Sequence, residues 1–583
     1  MFAVMVDHKL RDYRDKIAYS IDYIFTVLGY NYRILADDEY ARVEEIPFMY
    51  VSDKKIVEDY LSDNPRGFAI CILHDPIHYN YENLDRADIK QLLKSFNIGY
   101  DIPYLCSREI VEPISFTCDS QQKRFYVGVF HFDLIGNIYF HLTGREQDTI
   151  NQRDQHKQYL YQQSNFEKFM NYPYLTGMIN LVELFLGEGE NYLRYPLMQK
   201  PVWPGNKQYA VAISHNVNKL TKWNWSTFWG SFFYWFRSFW RVKYHLRNFW
   251  GLLRYLFDNW EPYWNFDLVS GLEHDNSIRS TYFFGVNYSD IPGVDYDLNE
   301  DDHKTQMNEL KAFGHDFGLF LSDENAEEKI ATSLDMLAEF TTTKIKGVRR
   351  ANLMPLEEED ILNSRDSDLE WDSSLTMPDL QGFVNGIGYP YFIIPANIKK
   401  RTLIELPVNF SDQALINGKI SLTRDAVEEK IEDMIDKARK FRSLLVFNFS
   451  LYTFEEILLL SEIYKWLMVR LKGDPSVWKA RLSEISNWFD QRSSVKVRNK
   501  RDLVEIEIGR DIDEITLYLK GLWRVTEIQE RKILENEQEE LDLFTENTWW
   551  QLNDAEVMVT GRMLKVRNAK SGCRIRIETE KFG

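Results

Sequence analysis

Residues 209–218, YAVAISHNVN, constrain the fold more than any other stretch of the chain. Tyr209, Val211 and Ile213 alternate as the residues of a buried strand do. The strand hands a polar cluster, Ser214, His215, Asn216 and Asn218, to its C-terminal end. That end of a sheet is where α/β folds build their sites. The cluster contains no carboxylate, so the stretch reads as an active-site strand with its acids removed.

The sequence around this strand sorts into three parts. Residues 1–200 mix helical and strand patterns and predict an N-terminal α/β domain, with Ile17, Ile21, Ile24 and Leu28 at helical spacing and short strands near 48–51 and 68–73. Two prolines and a glycine in KPVWPGNK, residues 200–207, mark the boundary that follows. Residues 201–490 predict the site-bearing domain. Residues 491–583 predict a mainly-β domain, because VKV, VEIEI, ITLYL, EVMVTG, MLKV and CRIRIE recur at strand density. A length of 583 residues accommodates such a division, and 44% hydrophobic residues suffice for substantial cores.

Charge and cysteine usage narrow the function classes. A formal net charge of −19 argues against a nucleic-acid partner, which requires a basic surface to displace counterions from phosphate. Cys71, Cys106, Cys118 and Cys573 are scattered without metal-ligand spacing and read as buried thiols of a reducing compartment. Asp7, His8 and Lys9 follow only six residues of N-terminus, which predicts no secretory signal. The expectation is a cytoplasmic chain, with peripheral attachment at the inner membrane face as the open alternative.

That alternative comes from an insertion at 219–264. Between residues 219 and 257 there is no acidic residue, and seven cations lie among a dense aromatic series. Phe228, Phe232, Trp235, Phe239, Val242, Leu246, Phe249, Leu253 and Leu256 recur every three or four residues, so they fall on one face of one or two helices. Trp229, Trp235, Arg237, Trp240, Arg241 and Trp250 are the candidate contacts. Two readings stand: a basic aromatic helix lying in a membrane interface, or a helical insertion packed on the domain or on a partner protein.

The motifs resemble those of the polysaccharide deacetylases with a NodB-type catalytic domain, in the branch with a long N-terminal domain and a His-Asp-Val-Asp first motif. The resemblance implies a distorted (β/α) barrel of NodB type, a carbohydrate or polysaccharide partner, and a divalent metal, usually zinc, in active members. Residues 215–218, HNVN, stand at the first motif, with Asn216 at the catalytic base and Asn218 at a metal ligand. GHDFGLF at 314–320 resembles the second motif and puts His315 and Phe320 at the two metal-binding histidines. GVRR at 347–350 resembles the third motif and retains Arg349, which orders the site. Val384 replaces an arginine, and LIELPVNF at 403–410 resembles a Leu-Glu-Ile-Pro strand. The histidine that serves the family as general acid corresponds to Asn448.

An amide is neither a general base near neutral pH nor a good zinc ligand, and catalytic zinc sites need three protein ligands. The sequence therefore predicts a deacetylase-like chain without its reaction and without a cofactor, working in binding or assembly. His215, Phe320, Tyr389 and Tyr391 are the candidate glycan contacts. The alternatives are a divergent metal-dependent carbohydrate N-deacetylase, in which His315 and Asp316 take part, and a membrane-associated scaffold.

Overall fold

In the computed structural model the described residues are 1–36, 39–63, 67–79, 88–92, 100–118, 125–146, 159–223, 242–258, 260–286, 294–321, 326–351, 353–355, 369–393, 403–417, 423–500, 503–521, 523–529, 549–552 and 554–581. The N-terminal sheet has the order Tyr32–Ile34, Phe2–Val6, Ile46–Val51, Gly67–Leu73, Phe125–Phe130, all parallel, with Ile114–Cys118 antiparallel at the edge. Parallel neighbours require crossovers, and the helix Arg14–Leu28 supplies the first, burying Ile17, Ile21, Ile24 and Leu28 as their spacing predicts. The helix stops at Gly29, whose φ of 78° suits a residue without a Cβ. A side chain there would also strike the Lys200 carbonyl oxygen, because Lys200 N–H bonds to the Gly29 carbonyl at 2.8 Å.

The central element is a ten-stranded curled sheet. Its main parallel strands are β1 (Tyr209–Val217), β2 (Thr281–Phe284), β3 (Asp316–Leu321), β4 (Gly347–Arg350), β5 (Trp371–Asp372), β6 (Ile404–Glu405), β7 (Phe410–Ser411) and β8 (Leu444–Ser450), in the spatial order β6-β5-β4-β3-β2-β1-β8-β7. Tyr391–Phe392 adds an antiparallel edge to β6, and Val477–Lys479 pairs with the start of β1. Among the described residues no pairing joins β7 to the far edge, so the sheet is a half-barrel rather than a closed one. Every residue of β1 is buried, as expected of a parallel strand covered on both faces. The outer cover over β1 and β2 includes the helices Phe266–Asp275 and Leu460–Lys472. Phe266, Val269, Ser270 and Glu273 are buried at positions i, i+3, i+4 and i+7, so the Glu273 carboxylate points inward with the apolar residues.

The C-terminal residues form two antiparallel sheets. One has the order Val495–Lys500, Leu503–Ile508, Arg574–Lys581, Trp523–Ile528. In the other, Ile512–Lys520 pairs with Met563–Ala569 on one side and with Leu197–Gln199 on the other. A strand from before residue 200 is thus part of the C-terminal sheet, and the three parts are sewn together. Arg492, buried after the half-barrel, donates to the Thr26 and Pro201 carbonyls, and Trp488 Nε1 donates to the Val202 carbonyl at 2.7 Å.

Candidate functional site: two polar centres on one strand

Side chains alternate across a strand, and β1 separates its polar residues accordingly. Ser214 and Asn216 face the inside of the curled sheet. His215 faces the helices outside. The expectation that His215 joins Asn216 and Asn218 at one cleft is corrected by this alternation.

On the inner face the centre is Arg349 from β4, which is 1% exposed. Its Nη1 donates to Ser214 Oγ at 3.0 Å and Asn216 Oδ1 at 3.1 Å, and also to Asn448 Oδ1 from β8. Nε donates to the Ser373 carbonyl at 2.7 Å and Nη2 to Ser373 Oγ at 2.9 Å. The guanidinium lies 4.1 Å from the centre of the Phe283 ring. Every direct hydrogen-bond acceptor is neutral. Burial draws the guanidinium down to about 9, against the pull of the more distant Asp372, Glu405 and Asp412. It is still a cation at neutral pH. Asp372 and Glu405 are partners in adjacent strands, and burial followed by the Asp372 charge pushes Glu405 far above the carboxylate range. One Glu405 oxygen accepts from Leu375 N–H at 2.9 Å, while the other is buried without a partner among the described residues.

On the outer face the centre is Glu273, fully buried. Oε1 accepts from Tyr464 OH at 2.7 Å and lies 2.9 Å from His215 Nε2. Oε2 accepts from Ser280 Oγ and Tyr282 OH, each at 3.0 Å, with His315 Nδ1 at 3.8 Å. Burial works to raise this carboxyl, yet His215, His315 and the Tyr464 hydroxyl bring it below its ordinary value. Burial lowers the His315 imidazole, with Glu273 opposing.

The strand register places the three motif positions apart. Phe320 stands beside Arg349. His315 comes just before β3, whose first residue Asp316 is level with Thr281 and, through it, Ser214. Phe320 lies five positions after His315, which is roughly 16 Å along a strand. The chain therefore keeps His315 at the opposite end of β3 from Phe320, in the Glu273 network, and the three positions Asn218, His315 and Phe320 do not meet as one donor set. Asn218 Oδ1 accepts from Lys219 N–H at 3.1 Å, and Phe320 is 5% exposed. An amide, a benzene ring and a distant imidazole do not fit zinc. Asp316, raised by burial to about 6, lies with His315 at the start of β3 and accepts from Ser483 Oγ.

The remaining candidates are placed elsewhere. Tyr389 is buried against Trp203 with ring centres 6.1 Å apart, and its hydroxyl donates to the Phe441 carbonyl at 2.9 Å. Tyr391 meets Tyr23 edge-on at 6.4 Å. Both rings are buried in packing contacts between the half-barrel and its neighbours. Trp229, Trp235, Arg237, Trp240 and Arg241 lie outside the described residues. Trp250 is on the helix Val242–Asp258 and is 62% exposed. Reading the sequence for motifs missed Glu273, Ser280, Tyr282, Tyr464 and Ser373. Only Glu273 carried a signal, its place in the helical spacing of buried residues.

No family model matches the chain, and no curated protein matches it. Solved structures that resemble it include a polysaccharide deacetylase from Mycobacterium smegmatis, at 16% identity over 50% of this chain and 94% of that one, with a TM-score of 0.35. A polysaccharide deacetylase from Pseudomonas aeruginosa PAO1 matches at 11% identity over 49% and 93%, with a TM-score of 0.33. A CE4 family pseudoenzyme from Bacillus anthracis matches at 9% identity over 49% and 66%, with a TM-score of 0.25. At these values the functional reading rests on this chain's own residues.

Proposed function

We propose that the chain is a non-catalytic polysaccharide-deacetylase-like protein with a binding or assembly role in polysaccharide metabolism. The observation that carries this is the Arg349 centre: the positions of base and acid are Asn216 and Asn448, and both amide oxygens are occupied by one buried guanidinium. Proton abstraction and proton donation each need a titratable group at those places. The centre holds the strands in register and offers neither. Carbohydrate is the ligand class inferred from the motif resemblance of β1, β3 and β6.

The test is incubation with acetylated amino-sugar oligomers in the presence of zinc, with release of free amine and binding heat both measured. Binding without amine release is the expected result. Amine release that disappears in His315→Ala would establish the divergent hydrolase instead, and stoichiometric zinc in protein purified without chelator would also count against the proposal.

A second reading concerns location and rests on the helix Val242–Asp258. Gly251 faces Trp223, Trp260 and Pro262. Leu246, Phe249, Trp250, Leu256 and Phe257 are all more than half exposed. Among the described residues no helix is long and apolar enough to cross a membrane. Cations without a single acid between residues 219 and 257, next to this apolar stripe, favour an anionic lipid interface as its partner. In liposome flotation, wild type should float with anionic vesicles and a deletion of 226–257 should not. Equal flotation would end this reading.

A further inference from the structure

The three parts of the chain converge on a cavity of about 530 Å³ whose lining includes no residue of the Arg349 and Glu273 centres. One wall comes from the helices Arg14–Leu28 and Tyr174–Glu188, including Leu184. Another comes from the end of the helix Arg424–Phe441 and Tyr389, and the third from Lys520 of the C-terminal sheet. Cavities of this volume at domain junctions are the usual setting of small-molecule sites.

The charges around the cavity are unequally satisfied. Glu183 is saturated: Oε1 accepts from Lys520 Nζ at 3.0 Å and Gln199 Nε2 at 3.3 Å, and Tyr30 OH donates to the same carboxylate at 3.3 Å. Glu188 accepts from Tyr126 OH at 2.8 Å. Lys440 Nζ sits 4.4 Å over the Tyr100 ring. The Arg442 guanidinium makes no hydrogen bond or ion pair among the described residues. It is exposed, and it follows the helix Arg424–Phe441 at φ 55°, ψ 35°, a left-handed position where glycine is the favoured residue. Trp203 Nε1 donates to the Arg442 carbonyl at 2.7 Å, which fixes the backbone of this lining residue. Val27, Leu28, Leu184, Val202 and Phe441 supply the apolar part of the lining, beside the amides of Asn180 and Gln199.

We propose that this junction is a binding site for a small organic anion, a carboxylate or phosphate carried on an apolar or aromatic body. Arg442 takes the oxyanion and the apolar lining takes the body. A planar guanidinium offers the paired donors that both oxyanions accept. Because the lining is drawn from all three parts, occupancy stabilises their mutual arrangement by mass action. This inference is independent of the reading of the half-barrel.

Thermal unfolding of the full chain with millimolar 2-naphthyl phosphate, 2-naphthoate, neutral 2-naphthylmethanol or inorganic phosphate tests it. At least one aromatic anion should raise Tm, with the phosphate and carboxylate arms telling which oxyanion is preferred, while the neutral analogue and phosphate alone give less. Arg442→Gly relieves the left-handed conformation, so the unliganded variant should be at least as stable as wild type. Its affinity for the anion should fall about ten- to a hundredfold. Leu184→Trp, a change at a half-exposed position on the opposite wall, should also remove the shift. No shift with either aromatic anion, an equal shift with 2-naphthylmethanol, or an undiminished shift in Arg442→Gly would each overturn the proposal.

Discussion

The two faces of β1 carry two buried charges held in opposite ways. Inside, a permanent cation, Arg349, is surrounded by hydroxyl, carbonyl and amide oxygens. Outside, an anion, Glu273, is surrounded by imidazoles and hydroxyls that can share its charge. The first centre gathers Asn216 and Asn448, and the second holds His315 apart from them. The outer charge is therefore met by direct partners, whereas the inner cation touches neutral groups and feels Asp372, Glu405 and Asp412 only from further off.

The largest effect expected is at the outer centre. Glu273→Ala strands the donors of Tyr464, Tyr282, Ser280 and His215 in a dry interior and should cost about 3–5 kcal/mol, read from urea unfolding. A loss below about 1 kcal/mol would mean that Glu273 does not organise the helix cover. Arg349→Met should cost less, about 1–3 kcal/mol, since removing the cation also removes its desolvation penalty and leaves only neutral groups unpaired. The comparison would break if the order were reversed.

Asn216→Asp probes the inner imbalance directly. It turns the 3.1 Å contact to Arg349 into an ion pair and should stabilise the protein by about 1.5–3 kcal/mol, without deacetylase turnover. A destabilised variant would show that the cation is already neutralised by Asp372.

The sequence made the strands of the half-barrel legible because a parallel strand buried on both faces carries an apolar run, as β1 does over 209–213, β3 over 317–321 and β8 over 444–447. Alternation of side chains also contains the assignment of His215 to the outer face, although motif reading groups it with Asn216. Glu273 was readable in principle from its place in the series Phe266, Val269, Ser270 and Glu273. Its partners were not, since Tyr464 is 191 residues away and nothing local marks it. Tyr389 and Tyr391 misled because an aromatic loop looks the same in sequence whether it borders a cleft or a domain junction. The pairing of Leu197–Gln199 with Ile512–Lys520 is likewise beyond any local signal.

Acidity should separate the two centres more gently. Glu273 is depressed in the folded protein, so its contribution is present above the ordinary value of 4.5 and is lost as pH falls through the depressed one. His315 is also depressed, and the unfolded imidazole gains its proton first below 6.5, which favours unfolding. The stability gap between wild type and Glu273→Gln should shrink on acidification. For Arg349→Met the gap should stay flat from pH 4 to about 8, because the guanidinium keeps its proton in both states over that range. A gap for Arg349→Met that changes below pH 6 would mean that carboxylates near Arg349 share its charge.

The smallest effect is the most pointed. Phe320→His returns an imidazole to the second position of the motif on the inner face, beside Arg349. It buries a polar ring in place of an apolar one and should cost about 1 kcal/mol. Zinc should not recover that loss, because His315 is held at the far end of β3 by Ser280 and Glu273, leaving Asn218 as the nearest motif donor. One imidazole and one amide fall short of the three ligands a catalytic zinc requires. If zinc raises the Tm of Phe320→His by several degrees, a carboxylate must reach the inner face, and the contrast between a vacated inner face and a balanced outer one fails.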